Sequence, residues 1–247
     1  MQQYFVSGKA EHFVTIKDEA SIKHMFSVMR LQDNDKAVLV FDDRVKRLAR
    51  VSDRLTHTFE ILEELPDNAE LPVDVTIASG FLKGDKLEFL VQKTSELGVH
   101  TIWGFPADYS VVKWAGTKLA KKTDKLNKIA QGAAEQSKRN RIPTVKLFEK
   151  TTDFLSSLSG FDRIFIAYEE AAKAGENSTL ARELALLSKG CKILFIFGPE
   201  GGISPSELAV LESYGGLKVG LGPRIMRAET APLFALSSVA YVFELMP

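Results

Sequence analysis

Short apolar segments separated by polar turns occupy the first 65 residues. Residues 38–41 are apolar and stop at a pair of aspartates, and residues 45–51 resume with basic side chains set between apolar ones. Apolar and polar side chains alternate in this way along strands that bury one face, so the pattern predicts a small β-rich barrel. One helix is predicted within it at residues 20–29, where apolar side chains recur every three or four positions.

From residue 73 onward the pattern changes to alternating strands and helices. The polar segment at 66–72 is bounded by two prolines and is the predicted linker. Strands are predicted at residues 73–79, 101–105 and 163–167, and helices at residues 86–97, 119–137 and 178–187. Such alternation predicts a parallel sheet covered on both faces. The expected domains are therefore a β-barrel at 1–70 and an α/β domain at 71–247.

Two units near the carboxyl terminus each consist of an apolar segment, a glycine-containing loop and a helix. The first loop reads GPEGGI at 198–203 and precedes Ser204, Pro205 and Glu207, which form the signature of a capped helix start. The second loop, 220–230, leads into a helix rich in small residues. Because parallel strands end at the same edge of a sheet, the two loops predict one ligand site at the ends of neighbouring strands.

Neither loop carries a phosphate-binding fingerprint. GxxxxGK[ST] is absent from the chain and GxGxxG is absent from both loops, which counts against a dehydrogenase-like nucleotide enzyme. A single glycine-rich loop is as often only a tight turn. The two strings GPEGGISPSE and LGPRIMRAETA together are much more specific.

These two strings resemble the cofactor loops of the SPOUT methyltransferases. Further strings are similar, in the same order, to segments of the ribosomal small-subunit methyltransferase E family: SIKHMFSVMR at 21–30, KGDKLE with QKTSELGV at 83–99, and AEQSKRNRIP at 134–143. Gln3 and Tyr109 depart from the resemblance, because the family commonly has arginine at both positions, so no RNA contact is carried over to them.

The resemblance implies a fold, a reaction and a set of partners. The implied fold is α/β, a SPOUT-type parallel sheet with a C-terminal trefoil knot, preceded by a small N-terminal β-barrel domain of PUA type. The implied reaction is the S-adenosylmethionine-dependent methylation of N3 of a uridine in 16S rRNA. The expected partners are 16S rRNA or the assembled small subunit, and a second copy of the chain, since the resemblance implies an active site at a subunit interface.

The S-adenosylmethionine site is expected to be built from both glycine loops. Its adenine should be held mainly by main-chain groups, because the loops are rich in glycine and apolar side chains. The expected cofactor-binding residues are Phe197, Gly198, Pro199, Glu200, Gly201, Gly202, Leu221, Gly222, Pro223, Ile225, Met226 and Ala228.

Arg227 and Glu229 of the second loop are the expected catalytic residues. Uridine N3 carries a proton, so its methylation needs either a base or a positive environment that stabilises the uridine anion. Arg227 is expected to supply the positive charge, whereas Glu229 or Glu200 would act as the base or merely hold the loop. A simpler interpretation also stands, in which Arg227 and Glu229 form an ion pair that only shapes the loop.

Charge must act locally in this chain if it binds RNA, because 32 basic residues balance 32 acidic ones. Lys138, Arg139 and Arg141 follow the long predicted helix in a polar loop, and arginine suits bidentate phosphate contacts. Arg30, which ends the first matching segment, is a further expected RNA contact. Lysines of the long helix are more simply explained as a solvated face, and the basic residues at 46–54 form a second candidate cluster.

Composition limits the class of protein. Apolar residues make up 45% and charged residues 26%, as in ordinary soluble proteins, and no apolar run approaches the roughly 20 residues of a membrane span. A cytoplasmic protein without a membrane segment is expected. Cys191 is the single cysteine and the four histidines are widely separated, so no disulfide and no metal site is predicted. An alternative function is a non-catalytic RNA-binding module for ribosome assembly, which would have no evident use for the intact glycine loops.

Overall fold

The computed structural model describes residues 1–169 and 178–246, and the chain divides into two compact units. The first unit consists of Met1–Glu70 together with Ala134–Ile142. The second consists of Leu71–Ala133 and the described residues from Pro143 onward. The inclusion of residues 134–142 in the first unit differs from the expected division into 1–70 and 71–247. Helical periodicity cannot reveal it, because periodicity marks the buried face of a helix and not the unit in which its end packs.

A five-stranded sheet forms the first unit. Its strands are β1 (Gln3–Phe5), β2 (Phe13–Thr15), β3 (Lys36–Val40), β4 (Lys46–Asp53) and β5 (Thr58–Leu65). They follow the order β1-β3-β4-β5-β2, with β1 parallel to β3 and the other pairs antiparallel. The predicted β-rich unit is thus confirmed. Closure into a barrel stays a prediction, because the described ladders leave β1 and β2 at the two edges.

One helix covers the core of this sheet. Helix α1 (Glu19–Ile22) continues into a π-helical turn at Lys23–Val28. It begins at Asp18, whose Oδ2 accepts a hydrogen bond from the backbone N–H of Ser21 at 2.7 Å. The core that it completes is made of buried apolar side chains, namely Tyr4, Ile16, Met25, Phe26, Ala37, Leu39, Phe41, Ala49, Val51 and Phe59.

A parallel sheet forms the centre of the second unit, as predicted, and it has six strands. Its strands are β6 (Asp74–Gly80), β7 (Thr101–Phe105), β8 (Thr144–Leu147), β9 (Arg163–Ala167), β10 (Lys192–Phe197) and β11 (Gly216–Val219). They follow the order β11-β9-β10-β6-β7-β8, and every neighbouring pair is parallel. The central strand β10 is buried from Ile193 to Phe197, which explains its unbroken apolar sequence.

Helices connect these strands. They are α2 (Lys86–Glu96), α3 (Gly116–Gln136), α4 (Thr151–Ser156), α5 (Thr179–Ala185), α6 (Pro205–Ser213) and α7 (Ala231–Ala240), the last continuing in a π-helical turn at Tyr241–Leu245. The short elements β8 and α4 have no counterpart among the sequence predictions. Within the described ranges no helix combines the length and the apolar character that crossing a membrane requires.

Strands β10 and β11 are not neighbours, although the chain joins them through α6. Strand β9 lies between them, pairing Arg163 with Ile193 on one side and Ile164 with Gly216 on the other. The prediction that the two glycine loops follow adjacent strands is therefore wrong. The loops still reach the same edge of the sheet, because all three strands run in the same direction, and the end of β9 joins them there.

Candidate active site

A cleft of about 610 Å³ opens at the carboxyl ends of β9, β10 and β11. This volume lies within the range of roughly 300–1,000 Å³ found for small-molecule sites. Both glycine loops contribute to its wall, together with residues 167–169 at the end of β9. Eleven of the twelve expected cofactor residues line it, and Pro223 is the exception. The cleft also includes Lys86 and Tyr109, which the sequence did not place there.

The first glycine loop is tightly folded against the segment that follows β7. The backbone N–H of Gly202 donates to the carbonyl of Pro199 at 2.9 Å, and Gly202 has a φ of +80°. A side chain at Gly201 would place its Cβ 2.8 Å from the Cβ of Tyr109. Gly202 is therefore required by its backbone conformation, and Gly201 is required because Tyr109 lies so close to it.

Tyr109 is held in place by hydrogen bonds of its neighbour Asp108. The backbone N–H of Asp108 donates to Oε1 of Glu207 at 2.8 Å, and Oδ2 of Asp108 accepts from the Ser204 hydroxyl at 2.6 Å. Ser204 and Glu207 also form the capping box that begins α6, as the sequence predicted. The start of α6 thus fixes both the first glycine loop and Tyr109.

The two arginines of the second glycine loop, Arg224 and Arg227, are exposed to solvent. The carbonyl of Arg227 accepts from the backbone N–H groups of Thr230 and Ala231 at 2.9 and 3.0 Å, which leads the loop into α7. The Arg227 side chain is 83% exposed and lines the cleft. A cation in this position can reach a ligand that enters from solvent.

Arg227 and Glu229 occupy different environments. One nitrogen of Arg227 lies 4.0 Å from Oε1 of Glu229, at the outer limit of an ion pair. Glu229 is only 13% exposed and is not part of the cleft wall. This placement suits a residue that holds the loop better than a base that meets a substrate. Both catalytic assignments stay predictions.

Lys86 joins the two glycine loops. Its Nζ lies 3.0 Å from Oε1 of Glu200 in the first loop and 3.6 Å from Oε2 of Glu229 in the second. The hydrogen bond to Glu200 raises the pKa of Lys86. Burial raises the pKa of Glu200, but hydrogen bonds from its own backbone N–H and from Lys86 outweigh burial and hold that pKa below its usual value.

Sequence reasoning missed Lys86, although one signal was available. Lys86 is the first residue of α2, where a cation opposes the helix dipole. A residue in an electrostatically unfavourable position points to a local partner of opposite charge, and Glu200 and Glu229 are those partners.

Of the expected RNA contacts, Arg139 requires a correction. Its side chain is 1% exposed and is ion-paired with Glu70, and its backbone carbonyl accepts from the Gln3 side chain at 2.6 Å. A buried, paired guanidinium is not available to a phosphate, so Arg139 belongs to the framework of the first unit. The other three expected contacts have more accessible side chains, since Arg30 is exposed and Lys138 and Arg141 are partly exposed.

The second candidate cluster, at 46–54, is also largely neutralised. Lys46 is buried and lies 2.5 Å from Asp67. Arg47 pairs with Asp43 and Glu64, each at 2.7 Å. The sequence showed the basic residues but not the carboxylates that folding brings to them, so this cluster is a weaker electrostatic footprint than its composition indicated.

No metal centre is evident in the parts of the chain that the structure describes. Across residues 1–169 and 178–246, no three histidine, cysteine or acidic side chains gather closely enough to hold a metal ion. Cys191 is a partly exposed free thiol at the residue before β10.

Comparison with known proteins finds a protein family that matches each of the two units. A family described as an RNA methyltransferase domain matches residues 69–240, and an RNA methyltransferase PUA domain matches residues 16–62. The parallel sheet with its cleft and the preceding β-rich unit thus define an RNA methyltransferase with a PUA domain.

Individual relatives narrow this class. The chain is 40% identical over 255 residues to the ribosomal RNA small subunit methyltransferase E of Bacillus subtilis (strain 168), with 100% of this chain and 98% of that protein covered. It is 30% identical to the protein of the same name from Mesomycoplasma hyopneumoniae (strain 232), with 96% and 98% covered. The chain belongs to the ribosomal RNA small subunit methyltransferase E family.

Solved relatives with a bound ligand are also similar to this chain. The crystal structure of a ribosomal RNA small subunit methyltransferase E from Neisseria gonorrhoeae, bound to S-adenosyl methionine, superposes with a TM-score of 0.80 at 25% identity. The superposition covers 98% of this chain and 98% of the Neisseria gonorrhoeae chain.

Proposed function

We propose that the protein binds S-adenosylmethionine in the cleft and methylates N3 of a uridine in 16S rRNA. The observation that carries the proposal is the meeting of both glycine loops in one cleft at the carboxyl edge of a parallel sheet. The ligand of the Neisseria gonorrhoeae relative and the names of the relatives from Bacillus subtilis and Mesomycoplasma hyopneumoniae support it.

The cleft wall fits this cofactor chemically. Its apolar side chains, among them Phe197, Ile203 and Leu221, suit a flat adenine ring. Glu200 adds a carboxylate, which suits the positively charged α-amino group of the cofactor. When bound, the cofactor supplies an electrophilic methyl group on a sulfonium.

The roles of the protein side chains follow from where they lie. Arg227, exposed at the cleft, stabilises the negative charge that develops on the uridine ring as N3 loses its proton to solvent water. It stays protonated near neutral pH and therefore acts electrostatically or by positioning, not as a base. Glu229, which lies outside the cleft wall and against Lys86, holds the second loop.

Lys138, Arg141 and Arg30 are the proposed RNA contacts of the first unit. Lys138 has a φ of +60° and its Nζ donates to the carbonyl of Met1 at 2.8 Å, so its loop is held in a defined conformation. Phosphate contacts of this kind position RNA without reading its sequence. We therefore assign the choice of uridine to the shape of the assembled substrate and to the cleft.

The proposed assembly is a cytoplasmic homodimer. Large apolar side chains of α7 and the turn that follows it are exposed, with Phe234 at 38%, Tyr241 at 58% and Leu245 at 72%. An apolar patch on the surface of an isolated chain marks a contact surface, and sedimentation velocity measures the expected dimer directly. The proposed fold includes the C-terminal trefoil knot that the family resemblance implies.

One experiment tests the reaction. The protein is incubated with S-adenosylmethionine carrying a labelled methyl group and with small subunits isolated from cells that lack this methylation, and the label is then mapped. We expect it on N3 of a single uridine in 16S rRNA. A non-catalytic assembly module would bind the subunits without transferring label.

A further inference from the structure

We propose that Lys86 is a positioning residue of the cleft, which ties the two glycine loops together and thereby sets the affinity for the cofactor. The identity of that cofactor rests on the proposed function. The proposal itself rests on the contacts of one ammonium group with carboxylates from two separate segments of the chain.

Lys86 connects the loops to a rigid part of the second unit. It is the first residue of α2, and that helix is anchored by the buried side chains Leu87, Leu90 and Val91. Helix α2 also packs against α7, the helix that follows the second loop. The ammonium therefore holds both loops against α2. A change in the Lys86 side chain would affect the position of both loops.

The charges around Lys86 make this contact hard to replace. Oε2 of Glu229 is buried and forms no hydrogen bond with any described residue, since the 3.6 Å to Nζ is an ion-pair distance and too long for a hydrogen bond. The other cation near Glu229, Arg227, lies 4.0 Å from Oε1 and is 83% exposed, so solvent screens it. Without Lys86 a mostly buried carboxylate would lose its closest counter-charge.

Loss of Lys86 also leaves two like charges facing each other. Glu200 and Glu229 both lie within 3.6 Å of the same nitrogen, and they belong to different glycine loops. Repulsion between them would move the loops apart and make the bound geometry less populated. A ligand that needs both loops then binds more weakly, because its apparent affinity scales with the population of the competent state.

Three variants test the positioning role. Lys86→Met removes the charge and keeps the length, Lys86→Arg keeps the charge, and Lys93→Met is the matched control, because Lys93 is an ion-paired lysine of the same helix outside the cleft. Calorimetry with S-adenosylmethionine is expected to give a Kd about tenfold higher for Lys86→Met, partial restoration for Lys86→Arg, and no change for Lys93→Met. With unmethylated small subunits, the KM for the cofactor should rise while kcat changes little.

A double variant tests the electrostatic cause. In Lys86→Met with Glu229→Gln, the uncompensated carboxylate is gone, so the loss of affinity should be smaller than in Lys86→Met alone. If Lys86→Met folds poorly, the double variant is compared with Glu229→Gln instead, because neither of these two variants contains the buried unpaired carboxylate. The proposal would be overturned if the loss of affinity in the double variant equalled the sum of the losses in Lys86→Met and Glu229→Gln measured singly, or if the Kd of Lys86→Met were unchanged. Failure of the wild-type protein to bind the cofactor would instead contradict the proposed function.

Discussion

The guanidinium of Arg139 is buried against the carboxylate of Glu70, with its Nε 3.2 Å from Oε1. The same oxygen accepts hydrogen bonds from the backbone N–H groups of Asn140 and Arg141, at 2.8 and 3.2 Å. One carboxylate thus organises the loop after α3, and Arg139 is its counter-charge. The neighbouring arginine of the same loop is left with a partly exposed side chain.

Arg139→Ala is therefore expected to destabilise the first unit. Removal of one partner of a buried ion pair costs about 3–5 kcal/mol, because the remaining carboxylate of Glu70, itself only 11% exposed, keeps its desolvation penalty. Urea unfolding followed by circular dichroism measures this loss. Arg141→Ala is the control and should lose much less stability. Equal stability of Arg139→Ala and the wild type would show that the buried pair contributes nothing.

Arg141→Ala is expected to act on RNA binding instead. If its guanidinium contacts one phosphate, the slope of log Kd against log salt should fall by about 0.7–0.9. Titration of 16S rRNA fragments at several salt concentrations measures that slope. Lys121→Ala, which removes an exposed lysine of α3, should leave it unchanged. An unaltered slope in Arg141→Ala would remove this residue from the RNA contacts.

Signals that involve residues close together in the sequence predict the structure correctly. The start of α6 follows from Ser204, Pro205 and Glu207, which are close in sequence. Ser204 and Glu207 form the capping hydrogen bonds with each other, and Pro205 occupies the first helical position. The buried strand β10 follows from its unbroken apolar run. Both features depend on neighbouring residues, so the sequence contains all the information that determines them.

The remaining features depend on residues far apart in the chain. Arg139 and Arg141 have the same chemistry and nearly the same position, and the buried ion pair with Glu70, about 70 positions earlier, makes Arg139 structural. The insertion of β9 between β10 and β11 is likewise a matter of strand order, which periodicity does not encode. Lys86 belongs to the site because it contacts two carboxylates from other segments, so its role can be recognised only in the folded structure.

Gly201→Val should abolish cofactor binding while the fold persists. Its side chain would collide with Tyr109, whose position is fixed by the hydrogen bonds of Asp108, so the loop itself must move. Calorimetry with S-adenosylmethionine measures the effect. Gly132→Ala is the control, because a Cβ at that helical position meets no atom within 4 Å and its φ is ordinary. Normal affinity in folded Gly201→Val would show that the first loop does not bind the cofactor.

Tyr4 is expected to make the first unit sensitive to alkaline pH. Burial, followed by the negative charge of Glu135, raises the pKa of Tyr4 from 10.0 to about 12. The unfolded chain then loses this proton before the folded chain does, so the contribution of Tyr4 to stability is retained below pH 10.0 and declines until pH is about 12.

The variant Tyr4→Phe tests this alkaline decline. It loses the hydrogen bond between the phenol and Nδ1 of His24, 3.0 Å apart, so its stability at neutral pH should fall modestly. Its stability should nevertheless depend less on pH in the alkaline range than that of the wild type. Urea midpoints measured at about pH 9 and about pH 11.5 provide the comparison. An equally steep decline in both proteins would assign the pH sensitivity to other groups.

Arg227→Met is expected to separate the chemical step from cofactor binding. The substitution removes the charge at the cleft but keeps a side chain of similar length, and single-turnover methylation should slow by about 10²-fold or more, because the developing uridine anion loses its counter-charge. Cofactor affinity should stay close to normal, because Glu229 is held by Lys86 at 3.6 Å and lies 4.0 Å from Arg227. If the ion pair with Glu229 instead shapes the loop, affinity and rate should fall together. Arg182→Met, which removes an exposed arginine of α5, controls for general charge loss. A near-normal single-turnover rate in Arg227→Met would exclude Arg227 from the catalytic residues.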